Sequence, residues 1–147
     1  MLRKTFILIP NLSLPGGVSN FYKVAENYFS NDIQYVCFNS KCRTGLFRII
    51  FNLLAILSAC IKILIFKPKC VVVNPSLQKN ALLRDVLFLL WSHLFAIKTI
   101  VFWRGWNPKY EYLFDQHPFR FFLKYAYLKA NQHIVLNNYT YKFLVDT

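Results

Sequence analysis

Acidic residues are scarce: six Asp and Glu stand against eighteen Lys and Arg, a formal net charge of +12 over 147 residues. That balance points to an anionic partner, either nucleic acid or a phospholipid surface. Glycine is scarce too, with only four. None form the G-x-G-x-x-G loop: Gly16-Gly17-Val18-Ser19-Asn20 follows the first strand-like run, and Phe38-Asn39 stand where a ribose-binding acid would end the second. A nicotinamide-dependent oxidoreductase is thereby excluded. The four cysteines (Cys37, Cys42, Cys60, Cys70) contain no CxxC pair. His117 and His133 have no Cys or carboxylate at ligand spacing, so no metal site and no disulfide framework is expected. Cys60 and Cys70 sit in or beside apolar runs, where a thiol behaves as a small hydrophobe. The apolar run after Met1-Leu2-Arg3-Lys4 is too short for a signal-peptide core, so the expected setting is cytosolic and reduced. Repeats, low-complexity tracts and an interior linker are all missing, which makes residues 1–147 one domain.

What the chain has in plenty is apolar surface. Hydrophobic residues make up 56% and aromatics 18%. The basic residues stand among Phe, Ile, Leu and Tyr, a mixture that settles at a lipid headgroup boundary. Of the two anionic partners, the membrane is favoured and nucleic acid is not expected. Within Leu46 to Phe66 the longest uncharged stretch, Ile49 to Ile61, is thirteen residues, short of the roughly twenty that cross a bilayer. As a helix, Leu46 to Phe66 places Arg48, Asn52, Ala55, Ala59 and Lys62 in one narrow polar or small-residue stripe. The rest of its circumference is Ile, Phe and Leu apart from Ser58 and Cys60. A helix lying on a sheet needs an apolar stripe of only ~100°. Something beyond its own sheet is therefore expected to cover it, lipid or a partner domain. A second basic stripe, Arg120, Lys124, Tyr127 and Asn131, is flanked by Phe119, Phe121, Phe122 and Tyr125. Arg48, Lys62, Arg120 and Lys124 are the expected membrane-surface residues.

Five continuous apolar runs alternate with helix-like segments. The runs are Thr5–Ile9, Ile33–Phe38, Cys70–Asn74, Thr99–Trp103 and His133–Leu136. Continuous rather than alternating runs mark strands of a parallel sheet covered on both faces. Helices are expected at about Val18–Phe29, Leu46–Phe66, Asn80–Ala96 and Pro118–Asn131, with another starting near Tyr139. The pattern predicts an α/β fold: a Rossmann-like, doubly wound parallel sheet in three α/β/α layers. The last helix has about two turns before Thr147, so the chain is expected to be the first half of something larger.

In such sheets ligands bind beyond the carboxyl ends of the strands. After the first run come Asn11, Gly16 and Gly17, and the glycine pair is expected to turn with positive φ and admit a ligand close to the backbone. The third run leads to Asn74 and Ser76, the fourth to Arg104, Gly105, Trp106 and Asn107, and the fifth to Asn137 and Asn138. These groups hydrogen-bond sugars and phosphates and form no nucleophile–base relay. Arg104 can grip a phosphate or carboxylate bidentately, and the Trp106 indole can stack on a sugar ring. Arg84-Asp85 is either a substrate grip or a local ion pair, worth about 0–1 kcal/mol if exposed. Glu111 and Asp115, four apart, supply a general base or a solvated helix face. His93, mid-helix among Leu and Phe, reads as structural.

Together, Pro15-Gly16-Gly17-Val18, Val72-Val73-Asn74-Pro75-Ser76-Leu77, Arg84-Asp85 and Val101-Phe102-Trp103-Arg104-Gly105-Trp106 resemble the amino-terminal half of a GT-B glycosyltransferase, family 4-like. His133-Ile134-Val135-Leu136-Asn137 resembles the strand where that family usually has a serine before a helix. The resemblance implies two Rossmann-like domains facing across a cleft. The first holds the acceptor, often a lipid-linked sugar, on the inner face of the plasma membrane. The missing carboxyl-terminal domain holds the nucleotide-sugar donor, and no other cofactor is implied. It implies substrate-binding roles for Gly16, Gly17, Asn74, Ser76, Arg84, Arg104, Gly105 and Trp106, in surface polysaccharide biosynthesis. Many members have His-Gly where this chain has Arg104-Gly105, so no catalytic role carries over. The alternative is a non-catalytic membrane-surface or partner-binding module, a pseudoenzyme or half of a split enzyme.

Overall fold

Apolar runs too short for helices, separated by helical stretches, build a sheet here. A computed structural model describes residues 4–13, 15–29, 32–38, 45–75 and 79–147, without the side chains of Leu46, Arg48 and Lys79. Ser76 and the Arg48 side chain, both expected to touch a partner, lie outside the described residues. The strands are β1 (Thr5–Ile9), β2 (Ile33–Cys37), β3 (Cys70–Val73), β4 (Lys98–Trp103) and β5 (Gln132–Val135). They form one all-parallel sheet in the order β2-β1-β3-β4-β5, flanked by helices in the Rossmann-like, three-layer manner. The helices are α1 (Gly17–Ala25), α2 (Gly45–Phe66), α3 (Lys79–Leu94), α4 (Tyr112–Asp115), α5 (Arg120–Leu128) and α6 (Asn138–Asp146). Short 3-10 turns stand at Glu26–Tyr28 and Pro108–Tyr110. The chain divides into two compact units, Met1–Val71 and Val72–Thr147.

In the first unit β1 and β2 pair in parallel register, Phe6 with Gln34 and Leu8 with Val36. Phe6, Ile7, Leu8 and Ile9 are all buried, which explains the unbroken apolar run. Tyr22 on α1 is buried against Tyr35, ring centroids 5.5 Å apart. Helix α2 packs inward through Ala59 and Ile63, both fully buried, while Ile50, Leu53, Leu54, Leu57, Ile61 and Ile65 stand exposed. The small-residue stripe thus faces protein and the large aliphatic side chains face out, the reverse of an ordinary surface helix.

In the second unit Trp103, at the end of β4, is the hub. Its ring lies 5.0 Å from Tyr127 and runs nearly parallel to that of His133, at an interplanar angle of 12°. Its Nε1 donates to His133 Nδ1 at 3.1 Å. The Tyr127 hydroxyl donates to the Leu82 carbonyl oxygen at 3.0 Å, tying α5 to α3. The expected outward stripe on α5 is corrected here. Tyr127 is fully buried, and Asn131 binds the start of β4 through Thr99 N–H to Asn131 Oδ1 at 2.8 Å. Arg120 stays exposed as expected, beside the exposed aromatics Phe121, Phe122 and Tyr125.

Two helices end in the left-handed region without glycine. Ala96 has φ 52° and Lys67 φ 40°. After α3, Ala96 N–H donates to the His93 carbonyl (3.1 Å) and Ile97 N–H to the Ser92 carbonyl (2.9 Å). These are the two bonds of a Schellman closure, a position where glycine avoids the Cβ penalty.

Candidate functional site

The carboxyl ends of β3 and β4 bring two of the expected residues together. Asn74 follows Val73 and Arg104 follows Trp103. Arg104 Nε donates to Asn74 Oδ1 at 3.1 Å, and the guanidinium lies over the Phe102 ring, 4.6 Å from its centroid. Asn74 is buried and Arg104 half-buried. An amide is neutral, so this bond orients the guanidinium without cancelling its charge. Gly105, next in the chain, is exposed, and a Cβ there would meet nothing within 4 Å. The arrangement is a positioned cation beside open backbone; with Nε on Asn74 and Nη2 buried, it suits a single charge-assisted bond to a phosphate or carboxylate, and the expected two-point grip is corrected.

Trp106 is tied into the protein. Its Nε1 donates to Glu111 Oε1 at 2.6 Å, and its ring packs on Trp103 (5.4 Å) and on Phe143 (4.7 Å). The Tyr139 hydroxyl also bonds Glu111, and that bond with the carboxylate's charge raises the Tyr139 pKa. Glu111 therefore joins the loop after β4 to the start of α6. It does not stand on a solvated face, as one sequence-based expectation had it. Asp115 accepts from Arg120 Nη1 through its backbone carbonyl at 2.8 Å and pairs with Lys124 through Oδ1 at 3.2 Å. Two of the expected membrane-surface cations thus share one acidic residue. Lys62 on α2 is exposed.

Arg84 and Asp85 form an ion pair, with Arg84 Nε donating to Asp85 Oδ1 at 2.7 Å. It is no exposed pair: Asp85 is 2% exposed. Burial lifts the Asp85 carboxyl to about 6, against the lowering pull of Arg84. Its other oxygen, Oδ2, is buried without a hydrogen-bond partner among the described residues. Burial likewise lowers the His133 pKa. His93 reads as structural in the fold as well, its Nε2 lying 3.0 Å from the Ala126 carbonyl oxygen.

Most of the strand-end asparagines serve the backbone. Asn107 Oδ1 accepts from Lys109 N–H at 3.1 Å, Asn137 Oδ1 from Thr140 N–H at 2.7 Å, and Asn11 Oδ1 from Ser13 N–H at 3.0 Å. These are helix caps and an Asx turn, the common employment of asparagine before a helix. Two recesses of about 350 Å³ lie beside β5, one lined by Leu136, Asn137, Asn138 and Tyr141, the other by His133, Leu144 and Val145 among others.

Gly16 and Gly17 belong to the first unit, at the start of α1. Gly16 has φ 166° and ψ 154°. That is extended backbone open to any residue, so the expected positive-φ turn is corrected. A Cβ at either glycine would meet nothing within 4 Å.

Comparison with protein-family models, with curated proteins and with solved structures finds no match to this chain.

Proposed function

We propose that this chain is the acceptor-binding, amino-terminal half of a GT-B glycosyltransferase, family 4-like, working from the inner face of the plasma membrane in surface polysaccharide assembly. The observation that carries the reading is the Asn74–Arg104 pair at adjacent strand ends. In this reading Arg104 holds the phosphate of a lipid-linked sugar acceptor and Gly105 lets that acceptor approach the backbone. Arg84 supports the site from α3 through its pair with Asp85. Gly16 and Gly17 offer an open backbone surface at the amino terminus of α1. Donor binding falls to a second Rossmann-like domain, and Glu111, bonded to Trp106 and Tyr139, positions the loop rather than moving protons.

A mass-spectrometric screen for sugar transfer onto lipid-linked acceptors tests this, run with the chain alone and with a second GT-B half supplied. Transfer only in the presence of the second half, lost in Arg104→Ala, is the expected outcome. Transfer by the chain alone contradicts the division of labour, and no transfer with any second half contradicts the enzyme assignment. The alternative, a non-catalytic surface module, is favoured by the employment of Asn11, Asn107 and Asn137 in turns and caps. It predicts that second result together with intact vesicle binding.

A further inference from the structure

Helix α2 carries more apolar surface outward than any other element described. Its Ile49–Phe66 stretch is long and apolar enough to cross a membrane by length and composition, yet only 11% of it is buried. The outermost line, Ile50, Leu54, Leu57 and Ile61, follows i, i+4, i+7, i+11 spacing, and each residue is more than 40% exposed. No charge interrupts it. The opposite line, Ala59 and Ile63, is fully buried against protein.

We infer that α2 is an in-plane membrane anchor, lying along the headgroup boundary of an anionic leaflet with its Ile50–Ile61 line in the acyl region. This rests on the membrane part of the function proposed above and not on its sugar chemistry. Composition separates lipid from a protein partner. Protein interfaces concentrate Trp, Tyr and Arg at their hot spots, and Leu and Val are under-represented there. The outer line of α2 is purely Ile and Leu. Charge complementarity names the lipid. Lys67 and Lys69 follow the helix directly, and Lys69 N–H donates to the Lys4 carbonyl at 2.9 Å, which brings Lys4 to the same end. Lys4, Lys62, Lys67 and Lys69 are all exposed, and none joins an ion pair among the described residues. Across residues 1–71 nine basic residues face two acidic ones. An apolar helix face bordered by lysines is the form that binds anionic interfaces.

The buried stripe decides between lying in the plane and spanning. A spanning helix is bathed by lipid all round, and α2 could span only by surrendering the packing of Ala59 and Ile63. Lys62, three residues after Ala59, sits about 60° from it round the helix. It borders the protein side, and its ammonium reaches the headgroups on a flexible stem.

The test uses the whole chain with phosphatidylcholine vesicles, with and without about one part in three of phosphatidylglycerol. A fluorescent non-natural amino acid is placed at Ile50, Leu57 or Ile61, and quenching is read from lipids brominated at set depths. Equal, shallow quenching at all three positions, on anionic vesicles and weakened by salt, is the expected result. Depths that change steadily from Ile50 to Ile61 overturn the in-plane arrangement in favour of a span. Vesicle binding without quenching overturns the role of α2 while leaving the membrane reading standing, and absence of binding overturns both. The double change Leu54→Glu/Leu57→Glu alters exposed positions and keeps the fold, checked by circular dichroism. It is expected to reduce vesicle partitioning at least about tenfold. Unchanged partitioning, or a concentration-dependent dimer that the change abolishes and vesicles do not disturb, overturns the inference, the latter in favour of a second copy as the occupant.

Discussion

Asp85 makes a sharp prediction about pH. Its carboxyl is fully buried and lifted from the ordinary 3.8 to about 6, burial outweighing the attraction of Arg84. A raised carboxyl pKa means that the folded chain holds the proton more tightly than the unfolded chain. Below about pH 4 both states are protonated, and the group contributes nothing to pH dependence. Between about 4 and 6 the unfolded chain releases its proton first, so stability falls as pH rises, and it levels off above about 6. The rise of about two decades corresponds to roughly 3 kcal/mol at about 1.4 kcal/mol per decade. Asp85→Asn keeps an oxygen for Arg84 Nε and removes the charge. Urea unfolding of both proteins across this range isolates the term, because contributions from His133 and the other carboxylates cancel in the difference. His133 itself acts in the opposite sense: its lowered pKa means stability is lost as pH falls through its ordinary range. The wild type is expected to lose roughly 3 kcal/mol relative to Asp85→Asn between pH 4 and 7. A difference that stays flat, or that favours the wild type as pH rises, refutes the claim that desolvation outweighs the Arg84 pair.

Two further outcomes follow from local geometry. Ala96→Gly removes the Cβ penalty of a left-handed residue at the end of α3 and is expected to stabilise by about 0.5–1 kcal/mol in urea unfolding, net of the extra freedom glycine gives the unfolded chain. Tyr127→Phe keeps the ring against Trp103 and deletes the hydroxyl bonded to the Leu82 carbonyl. It is expected to cost about 1 kcal/mol, seen as a lower urea midpoint with an unchanged slope.

Strands β1 and β3 were legible because they are buried on both faces and so read as unbroken apolar runs, whereas β2, β4 and β5 kept apolar runs although they are partly exposed, β5 most of all. Thr5–Ile9 was located to the residue, and the other four lie within one residue of the expected ends. Helix α2 was legible for the converse reason, since its apolar circumference exceeded what one sheet could cover. Tyr127 was not legible. Spacing put it on a polar stripe with Arg120 and Lys124, but its ring fills the space between Phe114 and Trp103, and the hydroxyl is satisfied by a carbonyl 45 positions away. The strand-end asparagines misled for a related reason: Asn serves a cap or a ligand equally well, and only coordinates separate Asn74, bonded to a side chain, from Asn107 and Asn137, bonded to backbone. The glycine pair suggested a left-handed turn, yet the left-handed positions described fell on Lys67 and Ala96, which carry no composition signal. Helix α4 was foreshadowed by the four-residue spacing of Glu111 and Asp115.

The central claim is that Arg104, oriented by Asn74, grips the anionic group of a lipid-linked sugar. Equilibrium binding of a short-chain prenyl-phosphate sugar to the wild type, Arg104→Lys and Arg104→Ala measures it directly. Loss of a charge-assisted contact predicts affinity about 10- to 100-fold weaker in Arg104→Ala, only partly recovered in Arg104→Lys. Equal affinity in all three proteins contradicts the account.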